Sequence, residues 1–372
     1  MVLGVKGYHQ TMDSFRFIIA GGGTGGHLFP GIAVARELQA RFENAGILFV
    51  VGRKKMELEI LRDYGFRVAS IDVEGLKGRG WKKGLHVLSR LPKSLCQSAA
   101  IIKAADPRTV LGMGGYSSGP MCVAARVMGI PTAIHEQNSY PGLTNRLLAR
   151  VVDRVFISFG ESRKYFKAGK VLFTGNPIRN ELYQYNDTGH HYPEKFTLLV
   201  MGGSQGAKAI NRAFVEALTI LRSRGKNPEV IHQSGKTDYQ RVVEDYKNRE
   251  IDITPVPFIQ DMARAYGCAD LVVSRAGATT IFELAALGKP SILIPYPYAA
   301  NQHQDTNARS LMRIGGAEMI HQDELTGEGL ARVLIKYMDD RSCLQEMSKQ
   351  VQEMGCRDAA KGIVNQLAEM MK

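Results

Sequence analysis

The densest run of chemically useful residues is Gly21-Gly-Gly-Thr-Gly-Gly26-His27, directly after the apolar stretch Phe15–Ala20. Glycine lets the backbone come close to a ligand, and the unpaired N–H groups at the start of a following helix favour an anion. A phosphate or pyrophosphate is the natural guest. Gly21, Gly23 and Gly26 also satisfy G-x-G-x-x-G, a dinucleotide fingerprint. An NAD site wants an acid about 20 residues on, at the end of the second strand. That position reads Val51-Gly-Arg-Lys-Lys55. NAD is disfavoured, and NADP stays open because Arg53 could meet a 2′-phosphate.

Three more loops follow apolar runs in the same way. Gly112-Met-Gly-Gly115-Tyr-Ser-Ser-Gly-Pro120 is a second phosphate-type loop. Two such loops in one basic region fit a diphosphate-bearing ligand better than a dinucleotide; tight packing turns are the alternative. Gly202-Gly-Ser-Gln-Gly-Ala-Lys208 fails the Walker A spacing, yet Ser204 could give a hydroxyl and an N–H to phosphate. Ser274-Arg-Ala-Gly-Ala278 enters a helix carrying Glu283. A carboxylate there can accept from a sugar diol or serve the helix dipole, and both readings stand. Downstream, Pro295–Tyr298 and Asn301-Gln-His-Gln304 crowd amides into one loop. Amides donate and accept at once, which suits neutral sugar hydroxyls.

Loops of this kind need strands before them and helices after them. Apolar runs at Phe15–Ala20, Ile47–Val51, Val68–Val73, Thr109–Leu111, Thr132–Ile134, Arg154–Ile157 and Val171–Phe173 predict strands, with a helix over Pro30–Ala40. The pattern restarts at Phe196–Met201, with a helix over Ala209–Arg222. Strands are then predicted at Glu229–His232, Ile253–Val256, Leu271–Ser274, Ser291–Ile294 and Glu318–Ile320. Alternating strand and helix imply parallel sheets with helices on both faces. The expectation is two Rossmann-like, doubly wound α/β domains facing a cleft, over 14–178 and 179–355. Thr174–Arg179 is the linker, since Gly175 and Pro177 break the pattern. Gln184–Lys195 reads as a surface loop, and the tail, 356–372, as a closing helix.

The chain has 372 residues, 44% hydrophobic and 23% charged, an ordinary globular composition that predicts about two domains. Its net charge of +12 is unevenly spread. Residues 1–178 carry 25 Lys+Arg against 12 Asp+Glu, and residues 179–372 carry 23 against 24. No acid occurs between Glu74 and Asp106, a stretch holding Lys77, Arg79, Lys82, Lys83, Arg90, Lys93 and Lys103. Such a stretch attracts polyanions, either nucleic acid or an anionic membrane, or is simply a solvated face. No run reaches the roughly 18–20 apolar residues of a membrane span. Residues 1–13 lack a signal-peptide core and read as a short disordered extension. Five scattered cysteines without a CxxC pair argue against structural zinc and a disulfide scaffold, and fit a reducing cytoplasm.

Taken in order, these motifs resemble the MurG family of peptidoglycan glycosyltransferases. The resemblance rests on Gly23–His27 with Pro30, Gly112–Tyr116 with Ser118–Pro120, and His135-Glu-Gln-Asn138 with Pro141-Gly142. Gly175–Arg179, Gly202–Gly206 and Ser274–Ala278 with Glu283 complete it. It implies a GT-B fold and an inverting transfer of GlcNAc from UDP-GlcNAc to the C4 hydroxyl of MurNAc in undecaprenyl-pyrophosphoryl-MurNAc-pentapeptide, lipid I. The acceptor would sit on the first domain and UDP-GlcNAc on the second, with the last helix crossing back. By motif position, His27 would be the general base, its unperturbed pKa of about 6.5 suiting a sugar hydroxyl. Positioning a phosphate is the alternative role for His27. The same resemblance gives Thr24, Gly25, Gly26 and Ser204 to the donor phosphates and Arg179 to the diphosphate. Asn138 and Gln304 would hold GlcNAc hydroxyls, and Glu283 the ribose. The backbone of Ile259 would read uracil, and Ala278 with Thr279 would add donors at a helix start. Gly23, Gly26, Gly114, Gly115 and Tyr116 would take the acceptor pyrophosphate. His303 departs from the family's pattern, where glutamine also occurs. No D-x-D motif is present, and the family manages without a metal or other cofactor.

The acid-free stretch gains a role from this resemblance. Leu76, Trp81 and Leu85 interleave with Lys82 and Lys83, a mix suited to an anionic membrane interface. The expected place is the cytoplasmic face of the bacterial inner membrane, bound peripherally. Nucleic acid is not an expected partner, because no aromatic platform beyond Trp81 and no recognised module is present. The alternative within the fold is another GT-B enzyme using UDP-GlcNAc, a glycolipid synthase or a 2-epimerase.

Overall fold

A computed structural model describes residues 15–23, 25–73, 81–183, 195–203 and 206–372, without the side chains of 15, 16 and 81–89. The first half runs β1 (Phe15–Gly21), α1 (Gly25–Arg41), β2 (Gly46–Val51), α2 (Lys55–Asp63), β3 (Arg67–Ser70), α3 (Trp81–Ala105), β4 (Thr109–Gly114), α4 (Ser118–Val127), β5 (Thr132–Glu136), α5 (Leu143–Leu148), β6 (Arg154–Ile157) and β7 (Val171–Phe173). The second half runs β8 (Thr197–Met201), α6 (Lys208–Ser223), β9 (Glu229–Gln233), α7 (Tyr239–Asn248), α8 (Met262–Cys268), β10 (Leu271–Ser274), α9 (Ala278–Leu287), β11 (Ser291–Leu293), α10 (His303–Arg313), β12 (Glu318–Met319), α11 (Gly327–Asp339), α12 (Arg341–Glu353) and α13 (Ala359–Met370).

These strands make two sheets, ordered β3-β2-β1-β4-β5-β6-β7 and β12-β11-β10-β8-β9. The pairings are parallel in both. A parallel sheet is covered on both faces, so its central strands must be apolar on both. In β1, Phe17 and Ile19 enter one core while Ile18 and Ala20 enter the other. In β8, Leu198 and Val200 divide from Leu199 and Met201 in the same way. Strand order reverses between β1 and β4 in the first sheet and between β8 and β10 in the second. Ligands of such sheets bind at the carboxyl ends of the strands flanking that switch point. All four glycine loops leave those four strands. This is the GT-B fold.

Two sequence expectations are corrected. Ile253–Val256 is not a strand; it makes an isolated bridge, Gln233 to Val256. Pro255 and Pro257 have no N–H to give to a ladder, so pairing cannot propagate. The first helix starts at Gly25, ahead of the expected Pro30, which lies inside it.

The chain crosses between the halves twice, and the crossings touch. In the linker, Thr174 and Gly175 donate N–H bonds to the Ile157 carbonyl. Gly175 has φ +78°, and a Cβ there would collide with Cys356 on the returning segment. Glycine is required on both counts. Beyond Cys356, α13 places Ile363, Val364 and Leu367 in the core with Phe17, Ile19 and Ile32 of the first half. Leu367→Ala removes a side chain only 1% exposed and should cost about 2–5 kcal/mol. Urea unfolding measures it; an unchanged midpoint would show that α13 does not hold the first half together.

Candidate active site

Pro30 shapes the entrance of α1. It cannot donate the helical bond to the carbonyl four residues back, so Gly26 keeps a free acceptor. Thr279 Oγ1, in the first turn of α9, donates to that Gly26 oxygen at 3.2 Å. The N-termini of α1 and α9 therefore meet across the seam between the halves. Each end carries unpaired N–H groups and partial positive charge. Ala278, buried, opens α9 after Gly277.

The first two glycine loops nest together. A Cβ on Gly115 would collide with the Gly22 backbone, and Gly114 and Gly115 hold φ +93° and +78°. Ser118 Oγ ties the second loop to β1, donating to the Ala20 carbonyl and accepting from Gly114 N–H at 3.0 Å. Buried Glu57 accepts from Gly23 N–H at 2.7 Å, and Lys54 donates to the Gly23 carbonyl at 3.0 Å. Gly23 thus spends its N–H within the protein, and Glu57 is a loop anchor that sequence reasoning missed. Tyr116 is 38% exposed at the mouth of the second loop.

His27 stands on the first turn of α1 and is partly buried. Its Nδ1 lies 3.1 Å from Gln137 Oε1. Burial lowers its pKa below the usual 6.5; Gln137 and the Met113 carbonyl oppose that and nearby His303 adds to it. His27 is therefore neutral at pH 7. His303 is lowered too, by burial, with Nδ1 bonded to the Ala300 carbonyl at 2.7 Å. His135, fully buried on β5, is pushed down to about 4 by burial and stays neutral.

Glu136, 2% exposed, builds the next wall. Its Oε1 accepts from Asn138 N–H at 2.9 Å and its Oε2 from Asn145 Nδ2 at 2.8 Å. Burial raises its pKa, and these donors pull it back. Asn307 of α10, 0% exposed, then joins the halves. Its Oδ1 accepts from Ser139 N–H and Oγ at 2.9 and 3.0 Å, and its Nδ2 donates to Asn138 Oδ1 and the Ala276 carbonyl. Gln304 Oε1 accepts from Tyr296 N–H at 2.9 Å, holding the proline-rich loop.

Arg179, leaving the linker, reaches into the seam. It lies 4.5 Å above the Phe29 ring and pairs with Glu283 Oε1 at 3.3 Å. Glu283 Oε2 accepts from Tyr266 at 3.0 Å. Burial raises the Glu283 carboxyl, and Arg179 only partly offsets it. Arg179 Nε is buried with no partner among the described residues.

The structure gathers His27, Gly26, Thr279, Asn138, Arg179 and Glu283 along one seam. Ile259 packs its side chain into the second core. Thr24, Ser204 and Leu76 lie outside the described residues; so do the side chains of Trp81, Lys82, Lys83 and Leu85, which sit on α3. Tyr266, Asn307 and Glu57 enter the site unannounced, as isolated polar residues without a motif of their own, and Gln137 lies inside the His135–Asn138 motif without a role assigned from it.

The chain is similar to known proteins over nearly its whole length. Residues 17–157 match the glycosyltransferase family 28 N-terminal domain, and residues 197–363 match the family 28 C-terminal domain. A Syntrophus aciditrophicus protein is 46% identical over 357 residues, covering 96% of this chain and 99% of its own. A Geobacter sp. (strain M21) protein is 45% identical over 350 residues, covering 94% of each. Both are named UDP-N-acetylglucosamine–N-acetylmuramyl-(pentapeptide) pyrophosphoryl-undecaprenol N-acetylglucosamine transferase. The crystal structure of Acinetobacter baumannii MurG superposes with TM-score 0.76 at 30% identity, covering 95% of this chain and 99% of that one.

Among the seam residues, Asn307 fills all its hydrogen-bonding capacity, accepting from the buried Ser139 N–H and hydroxyl and donating to Asn138 and Ala276. Asn307→Leu should therefore destabilise the protein by about 1–3 kcal/mol, because the Ser139 N–H stays buried and unpaired. Chemical denaturation gives the size, and amide exchange should lose protection first at Ser139; unchanged protection would dissolve the seam assigned to it.

Proposed function

This chain belongs to glycosyltransferase family 28, and we propose that it makes lipid II from lipid I. It transfers GlcNAc from UDP-GlcNAc to the C4 hydroxyl of MurNAc in undecaprenyl-pyrophosphoryl-MurNAc-pentapeptide. The observation that carries this reading is 46% identity, sustained over 96% of the chain, to a transferase named for that reaction.

Neutral His27 takes the proton of the C4 hydroxyl as its oxygen attacks the anomeric carbon of the α-linked donor. The new C–O bond forms opposite the bond to phosphate, which breaks and leaves its electron pair on UDP. The product is a β-1,4 linkage. Charge gathers on the departing diphosphate, where Arg179 and the N-termini of α1 and α9 stabilise it. Arg179 Nε, which has no partner among the described residues, supports that role. No metal is needed in this scheme. Glu283 gives one lone pair to Arg179 and one to Tyr266; a carboxylate has about four, so two serve the ribose hydroxyls. Asn138 and Gln304 serve the GlcNAc hydroxyls, Ile259 the uracil edge, and Thr24 and Ser204 the donor phosphates. Gly114, Gly115 and Tyr116 face the acceptor pyrophosphate. The first half, 14–178 with α13, is the acceptor domain, and 179–355 the donor domain.

The same reading puts the enzyme peripherally on the cytoplasmic face of the inner membrane. No helix among the described residues is long and apolar enough to cross a membrane. Two surfaces support docking. One is α3 with its acid-free basic sequence. The other lies beyond α4, which packs between α3 and α5. There Leu143 and Leu147, each more than half exposed, border a groove with Arg146, Arg150, Lys167 and Lys170. Apolar side chains beside cations suit an anionic lipid interface.

Radiolabelled GlcNAc should move from UDP-GlcNAc onto a lipid I analogue; free nucleotide sugar epimerised without transfer would overturn the assignment. His27→Ala should lower kcat by about 10²–10⁴-fold with donor affinity kept, and near-normal turnover would remove His27 as base. A base must be unprotonated, and burial depresses this one, so kcat/KM should fall with decreasing pH only below 6.5. For the membrane, Lys82→Glu with Lys83→Glu, and separately Arg150→Glu with Lys167→Glu, should weaken binding to anionic liposomes. Binding that ignores lipid charge would refute the docking face.

A further inference from the structure

We infer that Gln137 is a positioning residue: its side-chain amide, anchored on the Met113 carbonyl and backed by His135, holds His27 with the proton on Nδ1 and the lone pair on Nε2. The inference deepens the reading of His27 as general base and rests on it for its catalytic meaning.

Hydrogen-bond logic fixes the assignment from both ends. A carbonyl oxygen only accepts. One terminal atom of Gln137 lies 2.7 Å from the Met113 carbonyl, so that atom is the amide nitrogen. The other terminal atom is then Oε1, which only accepts. It lies 3.1 Å from His27 Nδ1, so Nδ1 carries the hydrogen. The other end of the chain gives the same answer independently. His135 Nε2 lies 3.1 Å from the Gly175 carbonyl, so Nε2 is its protonated nitrogen. Its Nδ1 must then accept, and the partner at 3.1 Å is Gln137 Nε2, already identified as a donor. Ser158 Oγ, 3.2 Å from His135 Nε2, accepts in the same pattern.

The alternative tautomer carries a clear penalty. With the proton on Nε2, His27 Nδ1 would face Gln137 Oε1 lone pair to lone pair. Flipping the amide would give His27 Nδ1 a donor but press the amide oxygen onto the Met113 carbonyl and the His135 Nδ1 lone pair. Gln137, His135 and Met113 are 1%, 0% and 0% exposed, so water cannot repair the mismatch. The imidazolium formed after proton transfer keeps Nδ1–H, and the bond to Gln137 survives the reaction. Gly114 closes the edge of the ring, since a Cβ there would lie 2.9 Å from His27 Nδ1 and Cε1.

The test reads the tautomer directly. In full-length protein labelled with ¹⁵N-histidine, long-range ¹H–¹⁵N spectra at pH 8 should show His27 protonated at Nδ1, the signal assigned by its loss in His27→Ala. Gln137→Leu should move that signal toward the Nε2-protonated form and lower kcat by about tenfold to a hundredfold, bounded by the 10²–10⁴ of positioned proton transfer. The KM for UDP-GlcNAc should stay within about twofold, because Gln137 is buried behind the histidine rather than facing the donor. An Nε2-protonated His27 in the unaltered protein, which needs no variant to fold, overturns the inference. So does Gln137→Leu with tautomer and kcat unchanged. Failure of the underlying reading looks different: His27→Ala would keep its turnover while the Nδ1 proton stayed where it is placed here.

Discussion

Pro30 has no amide hydrogen, and much of the interdomain seam follows from that absence. In an ordinary helix the Gly26 carbonyl would be taken by residue 30. Here it is free at the point where the other domain arrives, and Thr279 takes it. The cleft must stay polar to hold a charged nucleotide sugar and a pyrophosphate, yet a polar surface that becomes buried must be paired. The two halves meet that demand with each other's atoms: Thr279 with Gly26, Asn307 with Ser139, and Ser310 with Glu161. Because such bonds are directional, they register the domains more sharply than an apolar interface could. The α9 N-terminus is brought to His27 by this pairing.

The same rule explains why groups suited to ligands are already occupied. Glu283, Asn138, Gln304 and the Gly23 N–H all hold protein partners. Left bare, each would cost more than a typical hydrogen bond returns. Their partners therefore fix their directions before a substrate arrives, and orientation is what a polar site contributes most to catalysis. Arg179 combines both demands. Its Nη2 is spent on Glu283, its plane on Phe29, and its Nε on no described residue. One side chain thus ties Glu283 and Phe29 together and still has a donor without a partner among the described residues.

Strands and glycine loops were legible in the sequence because their signal is local. A fully buried parallel strand is a short apolar run, and a loop at a switch point follows it at once. Where local pattern misled, a proline was responsible. Pro255 and Pro257 turned an apolar run into a single bridge, and Pro30 hid five helical residues ahead of it. The anchoring residues were illegible for a different reason. Glu57 supports a loop 34 residues away, Gln137 a histidine 110 away, and Asn307 a serine 168 away. Gln137 lies in a motif and Asn307 just after an amide-rich loop, but the motif does not say which carbonyl or amide the fold delivers to each, and that is what defines them. His27 could be given a role from its motif, whereas Gln137, inside a motif of its own, could not.

Those long-range bonds are not mechanically equivalent. The chain passes between domains at the linker and again before α13, and the passages touch where Gly175 meets Cys356. Any rotation of one domain on the other pivots where the covalent chain crosses, so atoms near that contact move least. His135 bonds the Gly175 carbonyl there, and from it the relay runs to Gln137 and His27 within the first domain. The bonds from Thr279 to Gly26 and from Asn307 to Ser139 join different domains and would stretch in any rotation that opened the cleft. Such a rotation would break the seam without disturbing the histidine's tautomer. A histidine anchored across the cleft would lose its orientation in any such rotation; anchored at the pivot, His27 would keep it.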